Sequence, residues 1–339
     1  MALVIHRGVN VSHWLSQSKR RGRERREFFT ALDMELIASY GFDHIRLPID
    51  EEQMWDESGR AESEAFDLLH QALAWAARCG LKVVVDLHIL RSHHFLDKNP
   101  RLYTDPAEQA RFAALWAELS EKLREYPVGQ VAYELLNEPV AHDPADWNTV
   151  AHMAFDEIRS READRVVIIG SNDFQQPQTF PDLVLPDDEN IIPSFHFYSP
   201  LVVTHYRAQW SDPVKDYAGP ISYPGRPIDA SDFAKMPPDW QEMAERMELN
   251  IPFGPEQMVE AIGPVLDKTR QLGLRAYCGE FGCYGTSPLE VRLAWLRDIV
   301  AVFRRLGISW ALWDYKGNFG IVDAERSDTG LAEAVIGGE

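Results

Sequence analysis

The sequence of 339 residues has few cysteines, no long apolar run and no excess of basic charge. Cys79, Cys278 and Cys283 are an odd number without C-x-x-C spacing, which argues against a disulfide framework and a zinc ribbon. No segment approaches the ~20 consecutive apolar residues of a membrane-spanning helix. The 34 Lys and Arg residues stand against 53 Asp and Glu residues, a net charge of −19. We therefore expect neither nucleic acid, which requires a basic face, nor a membrane as a partner.

Eight short segments rich in Val and Ile read as strands, and amphipathic helical patterns separate most of them. The predicted strands are 3–9, 44–48, 82–87, 131–136, 166–170, 191–195, 275–279 and 309–313. Asp105-Pro106 and Ser287-Pro288 resemble helix starts, each with a capping residue before a proline. Short apolar strands that alternate with helices are typical of parallel sheets covered on both faces.

Eight βα units permit a closed barrel or an open doubly wound sheet. The open sheet usually carries a glycine-rich turn after its first strand, and GVNVSHWLSQ contains no G-x-G-x-x-G. The sequence therefore predicts an α/β fold, a single (β/α)8 TIM barrel domain over residues 1–339. Residues 199–253 have no clear periodicity, and we expect them to form an insertion or lid subdomain after strand 6.

The first residues, MALVIHRGVN, read as a strand and lack a basic segment followed by an apolar one. This pattern predicts a cytoplasmic location, with secretion as the alternative if a leader has been removed.

Polar and aromatic residues cluster at the predicted carboxyl ends of the strands, where barrel enzymes carry their chemistry. Taken singly, each has an ordinary structural explanation, such as a rim salt bridge, a hydrogen-bonded histidine or a core tryptophan. Six of the eight strands nevertheless deliver such groups to the same rim. The candidates are Arg46, His88, Asn137, Glu138, His196, Tyr198, Glu280 and Trp313.

Glu138 and Glu280 follow strands four and seven and are expected to face each other across the barrel mouth. Glycoside hydrolysis needs such a pair, one carboxylic acid and one carboxylate. An arginine and a tyrosine beside one glutamate would keep it ionised, whereas the other must retain its proton. Glu134 is a weaker alternative for the acid because it lies deeper in the barrel.

A metal site is the alternative to this pair of carboxyl groups. His88, His196 and Glu280 are possible ligands, but His6 and His13 do not supply the H-x-H that metal-dependent barrel hydrolases usually carry after strand one. We therefore predict no catalytic metal.

The combination of Arg46, His88, NEP at 137–139, H-x-Y at 196–198, GEFG at 279–282 and Trp313 resembles glycoside hydrolase family 5, the cellulase family. The resemblance runs along nearly the whole chain and is strongest to the clostridial endoglucanase C type. It implies a retaining hydrolase without metal or organic cofactor.

The resemblance also implies roles for the site residues. Glu138 would be the general acid/base and Glu280 the nucleophile. The remaining candidates would bind or orient. Asn137 would bond the sugar 2-hydroxyl, Arg46 and Tyr198 would orient Glu280, His88 and His196 would shape the reacting subsite, and Trp313 would lie under the reacting sugar.

The loop after strand three departs from the type. Where relatives often continue as H-H-A-P-G, this chain reads His88-Ile89-Leu90-Arg91-Ser92, followed by His93 and His94. Subsite shape and linkage preference are therefore open, as is any sugar contact by Lys316 or Asn318.

The predicted function is retaining hydrolysis of β-glucosidic bonds, by an endo-β-1,4-glucanase or a mixed-linkage β-glucanase acting on soluble glucans or oligosaccharides. The alternatives are an exo-β-1,3-glucanase, a β-glucosidase-like enzyme or a β-mannanase on the same scaffold, and a carbohydrate-binding protein without catalysis. The expected partner is a β-linked oligo- or polysaccharide substrate.

Overall fold

A computed structural model describes residues 3–337, in which eight parallel strands close into a barrel. Each strand pairs with the next along the chain, and β1 pairs with β8. The strands are β1 (Arg7–Asn10), β2 (His44–Asp50), β3 (Lys82–Ile89), β4 (Val131–Glu134), β5 (Val167–Gly170), β6 (Ile191–Phe197), β7 (Tyr277–Phe281) and β8 (Ser309–Leu312). The closed barrel was predicted and the open sheet is excluded.

Long helices surround the barrel, and short helices lie within its loops. They are α1 (Gly22–Phe28), α2 (Ala31–Ser39), α3 (Glu51–Met54), α4 (Ser63–Arg78), α5 (Pro106–Leu123), α6 (Pro144–Arg159), α7 (Asn172–Gln175), α8 (Leu201–Thr204), α9 (Ala230–Phe233), α10 (Pro238–Arg246), α11 (Pro255–Leu272), α12 (Leu289–Leu306) and α13 (Leu331–Ile336), with 3₁₀ turns at Arg101–Tyr103 and Pro177–Asp182. The α7 segment has left-handed φ angles at Asp173 and Phe174, so it is a tight turn rather than a regular helix.

One of the two predicted helix starts is confirmed. The Asp105 carboxylate accepts the Ala107 N–H at 2.9 Å and caps α5. The prediction for α12 was wrong by one residue, because Pro288 occupies the capping position and the Ser287 hydroxyl donates to the Val203 carbonyl instead. Ser287 thereby ties the start of α12 to α8.

The barrel interior changes character from one end to the other. Side chains alternate between the two faces of a strand. On β3, Val83, Val85 and Leu87 pack in the main core, which includes residues of the surrounding helices, whereas Val84 belongs to a second, separate cluster. Residues in phase with Val84 further along β3 are Asp86 and His88, so the inner face is apolar at one end and polar toward the carboxyl end.

Residues 199–253 hold three short helices, α8, α9 and α10, between β6 and α11. Tyr217 and Trp240 stack with their ring centroids 5.8 Å apart, and both belong to the main hydrophobic core. The Tyr223 hydroxyl donates to Asp298 on α12 at 2.9 Å, which anchors the segment to the barrel.

Within residues 3–337, no helix is both long enough and apolar enough to cross a membrane. The three cysteines are unpaired, and Cys278 and Cys283 are buried.

Candidate active site

The inner faces of the strands converge on Arg46, which lies within β2 rather than at its end as predicted. Its buried guanidinium contacts three carboxylates. The Nε donates to Glu134 at 2.6 Å, Nη1 donates to Glu280 at 2.7 Å, and Nη2 lies 3.0 Å from Asp86. Burial alone would lower the pKa of Arg46, but the three acids raise it well above its usual value. The guanidinium is therefore a fixed positive charge below the barrel mouth.

Two asparagines complete the arrangement around Arg46. The guanidinium donates to Asn10 at 2.9 Å and to Asn137 at 3.0 Å, in each case to the amide oxygen. Because the oxygen of Asn137 faces Arg46, its amide nitrogen is the group left for a ligand.

Glu138 and Glu280 face each other with one carboxylate oxygen of each within 4.8 Å. His196 lies between them, with its Nδ1 3.0 Å from Glu138 and 3.7 Å from Glu280. The register places His196 on β6 directly beside Glu280 on β7. The two carboxylates therefore flank one small volume at the barrel mouth.

Glu280 is surrounded by hydrogen-bond donors. In addition to the Arg46 guanidinium, the Tyr198 hydroxyl donates to its second oxygen at 2.9 Å. Burial raises the pKa of Glu280, while Arg46 and the Tyr198 hydrogen bond oppose that rise by stabilising the charged form. The pKa of Glu280 stays above its usual value, but these donors make Glu280 the more readily ionised of the two glutamates.

Glu138 has a different environment. Its side chain contacts His196 and is not among the three carboxylates that Arg46 binds. Burial, followed by the nearby charge of Glu280, raises the pKa of Glu138 well above its usual value. Burial also lowers the pKa of His196 well below its usual value, so the imidazole is neutral and offers Glu138 no positive charge. The proton of the pair therefore resides on Glu138.

His88 forms the floor of the mouth together with Trp313. Its Nδ1 lies 2.6 Å from Asp86 and its Nε2 lies 3.2 Å from the Gln17 amide nitrogen. Burial lowers the pKa of His88 to about 3, so the ring is neutral, with Nδ1–H donating to Asp86 and Nε2 accepting from Gln17. The rings of His88 and Trp313 are stacked, with an interplanar angle of 7° and centroids 5.6 Å apart.

The structure thus brings all eight candidate residues together. It also shows where two other residues lie. Glu134 is fully buried and bonded to Arg46, which confirms that it lies too deep to reach a ligand. Lys316 points away from the mouth and pairs with Asp33 at 2.7 Å.

The divergent loop after β3 carries Arg91 outward. The Arg91 guanidinium lies 3.0 Å from Glu51, and its backbone N–H donates to the same carboxylate at 2.9 Å. His93 is buried and its ring packs edge-on against Tyr103. Arg91 and His93 therefore pack within the loop, and His88 is the histidine that lies at the barrel mouth.

Sequence reasoning missed four polar residues, the buried Asn10, Asp86 and Gln175 and the half-buried Gln17. Asp86 could have been found, because it lies two residues before His88 and so shares its face of β3. Asn10 follows the same logic at the end of β1. Gln17 and Gln175 have left-handed φ angles of 48° and 55°, in loops for which periodicity gives no signal.

In the part of the chain that the structure describes, one cluster could hold a metal ion. Glu138, His196 and Glu280 each offer a ligand atom, all within 4.8 Å of one another. This set differs from the possible ligands named from the sequence, since it contains Glu138 in place of His88, whose ring nitrogens contact Asp86 and Gln17. The same three residues also suit proton transfer at a glycosidic bond. In that role one glutamate is protonated and the other is ionised.

Comparison with known proteins connects this geometry to a family. The family model described as Cellulase (glycosyl hydrolase family 5) matches residues 25–319. Endoglucanase C of Acetivibrio thermocellus is 32% identical over 328 residues, 94% of this chain and 94% of that protein. Cellodextrinase A of Ruminococcus flavefaciens is 27% identical over 90% of this chain and 84% of that protein. The structure of Thermotoga maritima Cel5A with cellobiose has a TM-score of 0.79 and 24% identity, covers 98% of this chain and 97% of that one, and shows the same fold.

Proposed function

Since the chain belongs to the cellulase family, glycosyl hydrolase family 5, and is a glycoside hydrolase, we propose that it cleaves internal β-1,4 bonds of glucans or mixed-linkage β-glucans. The name of its relative Endoglucanase C supports endo-action on a glucan. The name of Cellodextrinase A supports soluble oligosaccharides as substrates.

The observation that carries the proposal is the separation of the two glutamates. Retaining glycosidases hold their carboxyl groups ~5–5.5 Å apart, whereas inverting enzymes need ~6.5–9.5 Å to admit a water. Glu138 and Glu280 have oxygens within 4.8 Å. This close approach is on the retaining side of the division and favours attack on the sugar by a carboxylate, with retention of configuration.

In the first step, the ionised Glu280 attacks the anomeric carbon and forms a covalent ester with the sugar. The glycosidic C–O bond breaks, and its electron pair stays on the leaving oxygen, which takes the proton of Glu138. In the second step, the ionised Glu138 removes a proton from water as the water attacks the same carbon. The ester bond then breaks and Glu280 is released as a carboxylate.

The environments of the two glutamates support this assignment of roles. Arg46 and Tyr198 bind Glu280, which suits a nucleophile. Glu138 keeps its proton because burial and the charge on Glu280 raise its pKa. When Glu280 forms the ester, its charge is lost, and the pKa of Glu138 falls as the second step requires.

The remaining residues would bind the reacting sugar. We assign the free amide nitrogen of Asn137 to the 2-hydroxyl, where a hydrogen bond strengthens as positive charge develops on the ring. His88 and His196 would line the reacting subsite, and Trp313 would supply an aromatic surface for the sugar face.

We assign residues 199–253 the role of a lid subdomain at one end of the cleft. The segment begins just after Tyr198, and the Thr204 carbonyl accepts the Tyr284 N–H at 2.7 Å. Trp210 is 43% exposed and packs edge-on against Tyr284, beside the loop that follows β7. A lid that closed the cleft completely would produce exo-action, which releases only the shortest product.

The cytoplasmic location stays a prediction.

The experiment compares the wild-type protein with Glu280→Gln on barley β-glucan, carboxymethylcellulose, mannan and cello-oligosaccharides. The wild type should release mixed oligosaccharides with the β-anomer appearing first by NMR, and the variant should lose activity by more than tenfold.

Glu121→Gln is the matched control, because Glu121 is an exposed residue on α5, paired with Arg124. Its activity should equal that of the wild type. An inactive wild type, an initial α-anomer, or Glu280→Gln with more than a tenth of the wild-type activity would refute the proposal.

A further inference from the structure

We propose that Gln175 is a positioning residue that holds the backbone of Glu138 where its side chain can serve as the acid/base. This inference rests on the role proposed for Glu138. Gln175 acts through the backbone of Glu138 and not by contact with a substrate.

Gln175 lies in the α7 turn and its side chain is completely buried. Its Oε1 accepts the Glu138 backbone N–H at 2.8 Å. Its Nε2 lies 3.3 Å from the Ser194 hydroxyl and 3.4 Å from the Glu134 carboxylate. The orientation of the amide is therefore fixed, because only the oxygen can accept from an N–H and only the nitrogen can donate to a carboxylate.

The bond matters because the backbone of Glu138 is in an unfavourable region. Its φ angle is +45°, a left-handed value that non-glycine residues adopt only when the surrounding structure enforces it. Strand β4 ends four residues earlier, at Glu134, so Glu138 is outside its strand pairing. The N–H of Glu138 is bound by the Gln175 side chain instead.

The other end of the Gln175 amide connects to the charge network of the site. Glu134 receives the Arg46 Nε at 2.6 Å, and the same guanidinium donates to Glu280. A continuous chain of hydrogen bonds therefore runs from the Glu138 backbone to the Glu280 carboxylate. This chain sets the position of one acid relative to the other.

The loop after β5 is built to hold this segment. The Phe174 N–H donates to the Pro139 carbonyl at 3.2 Å, and the Asn172 amide pairs with both backbone groups of Ala141 at 2.8 Å. Gly170, at the end of β5, is required for space, because a Cβ there would overlap the amide of Gln175.

A defect in positioning Glu138 has a recognisable kinetic signature. A poor leaving group needs the proton of the acid, whereas a dinitrophenolate leaves without one. Gln175→Met preserves the volume but removes all three side-chain hydrogen bonds. We expect Gln175→Met to lower kcat/KM by about tenfold or more on cellotetraose and by less than about threefold on dinitrophenyl β-cellobioside. The loss on cellotetraose should be part of the loss that removal of the Glu138 carboxyl group causes.

The experiment measures both substrates, with and without azide, for the wild type, Gln175→Met, Gln175→Glu and Glu138→Ala. Azide attacks the glycosyl-enzyme without a general base, so it should accelerate the dinitrophenyl reaction of the variants and yield a β-glycosyl azide. Gln175→Glu keeps one acceptor but places a carboxylate against Glu134, and it should show the same selective loss. Gln176→Ala is the matched control, since Gln176 is the exposed neighbour.

Each outcome decides between the two proposals. If Glu138→Ala shows the leaving-group signature but the Gln175 variants lose equal activity on both substrates, or match Gln176→Ala, the role of Gln175 is refuted and that of Glu138 stands. If Glu138→Ala lacks the signature, the proposed function fails. If neither Gln175 variant folds by circular dichroism, Gln175 is structural and the inference is overturned.

Discussion

Removal of the Tyr198 hydroxyl tests how the site keeps one glutamate ionised. The hydroxyl donates to Glu280 at 2.9 Å, and a hydrogen bond to a charged group contributes about 1.5–3 kcal/mol. Tyr198→Phe withdraws this energy from the ionised form only. Because one pKa unit corresponds to about 1.4 kcal/mol, the pKa of Glu280 should rise by about one to two units.

The sign of the change in rate follows from the proposed role of Glu280. The carboxylate must be ionised to attack, so a higher pKa moves the acidic limb of the kcat/KM profile to higher pH by the same amount. The assay is the pH dependence of kcat/KM on an aryl β-cellobioside, which reports ionisations of the free enzyme.

Tyr206→Phe is the matched control for this experiment. Its hydroxyl donates at 2.8 Å to the Gly219 carbonyl, within residues 199–253, and its loss should leave the acidic limb in place. An acidic limb that stays fixed or moves to lower pH in Tyr198→Phe would contradict our account of Glu280, as would an equal shift in Tyr206→Phe.

Three other predictions concern binding, metal and stability. Asn137→Ala should lower kcat about a hundredfold on cello-oligosaccharides. The difference from the wild type should vanish on a 2-deoxy-glycoside, because that substrate lacks the 2-hydroxyl. A difference that persists on the 2-deoxy-glycoside would reject the contact. Extended dialysis against EDTA should leave kcat unchanged, because His196 and the two glutamates act through protons; a loss that zinc restores would indicate a metal. Arg165→Met should lower the free energy of unfolding in urea by about 3–5 kcal/mol, because it leaves the buried Glu162 without the cation 2.6 Å away; a change below 1 kcal/mol would contradict this.

The strand pattern and the rim residues could be predicted from the sequence because both depend on local periodicity. A parallel strand buried on both faces has a recognisable composition, and its carboxyl end is defined once its direction is known. The positions of Arg46 and Glu280 within their strands were less accurate. Arg46 lies in the middle of β2 and Glu280 lies within β7, because strand ends are set by pairing with neighbours rather than by composition.

The helix starts illustrate the same limit. Asp105 caps α5 as its sequence predicts, because an N-cap needs only residues two or three positions away. Ser287 does not cap α12, because its hydroxyl bonds to Val203, a residue distant in sequence. A tertiary contact overrode the local preference.

The barrel, the two glutamates and the likeness to a cellulase could be read from the chain alone, because each depends on the order and spacing of residues along single strands. Three features required the folded molecule: the oxygens of Glu138 and Glu280 lie within 4.8 Å, Arg46 binds Glu280 but not Glu138, and the Gln175 side chain binds the backbone of Glu138. These distances join residues on different strands and loops, and barrel closure and side-chain packing set them together.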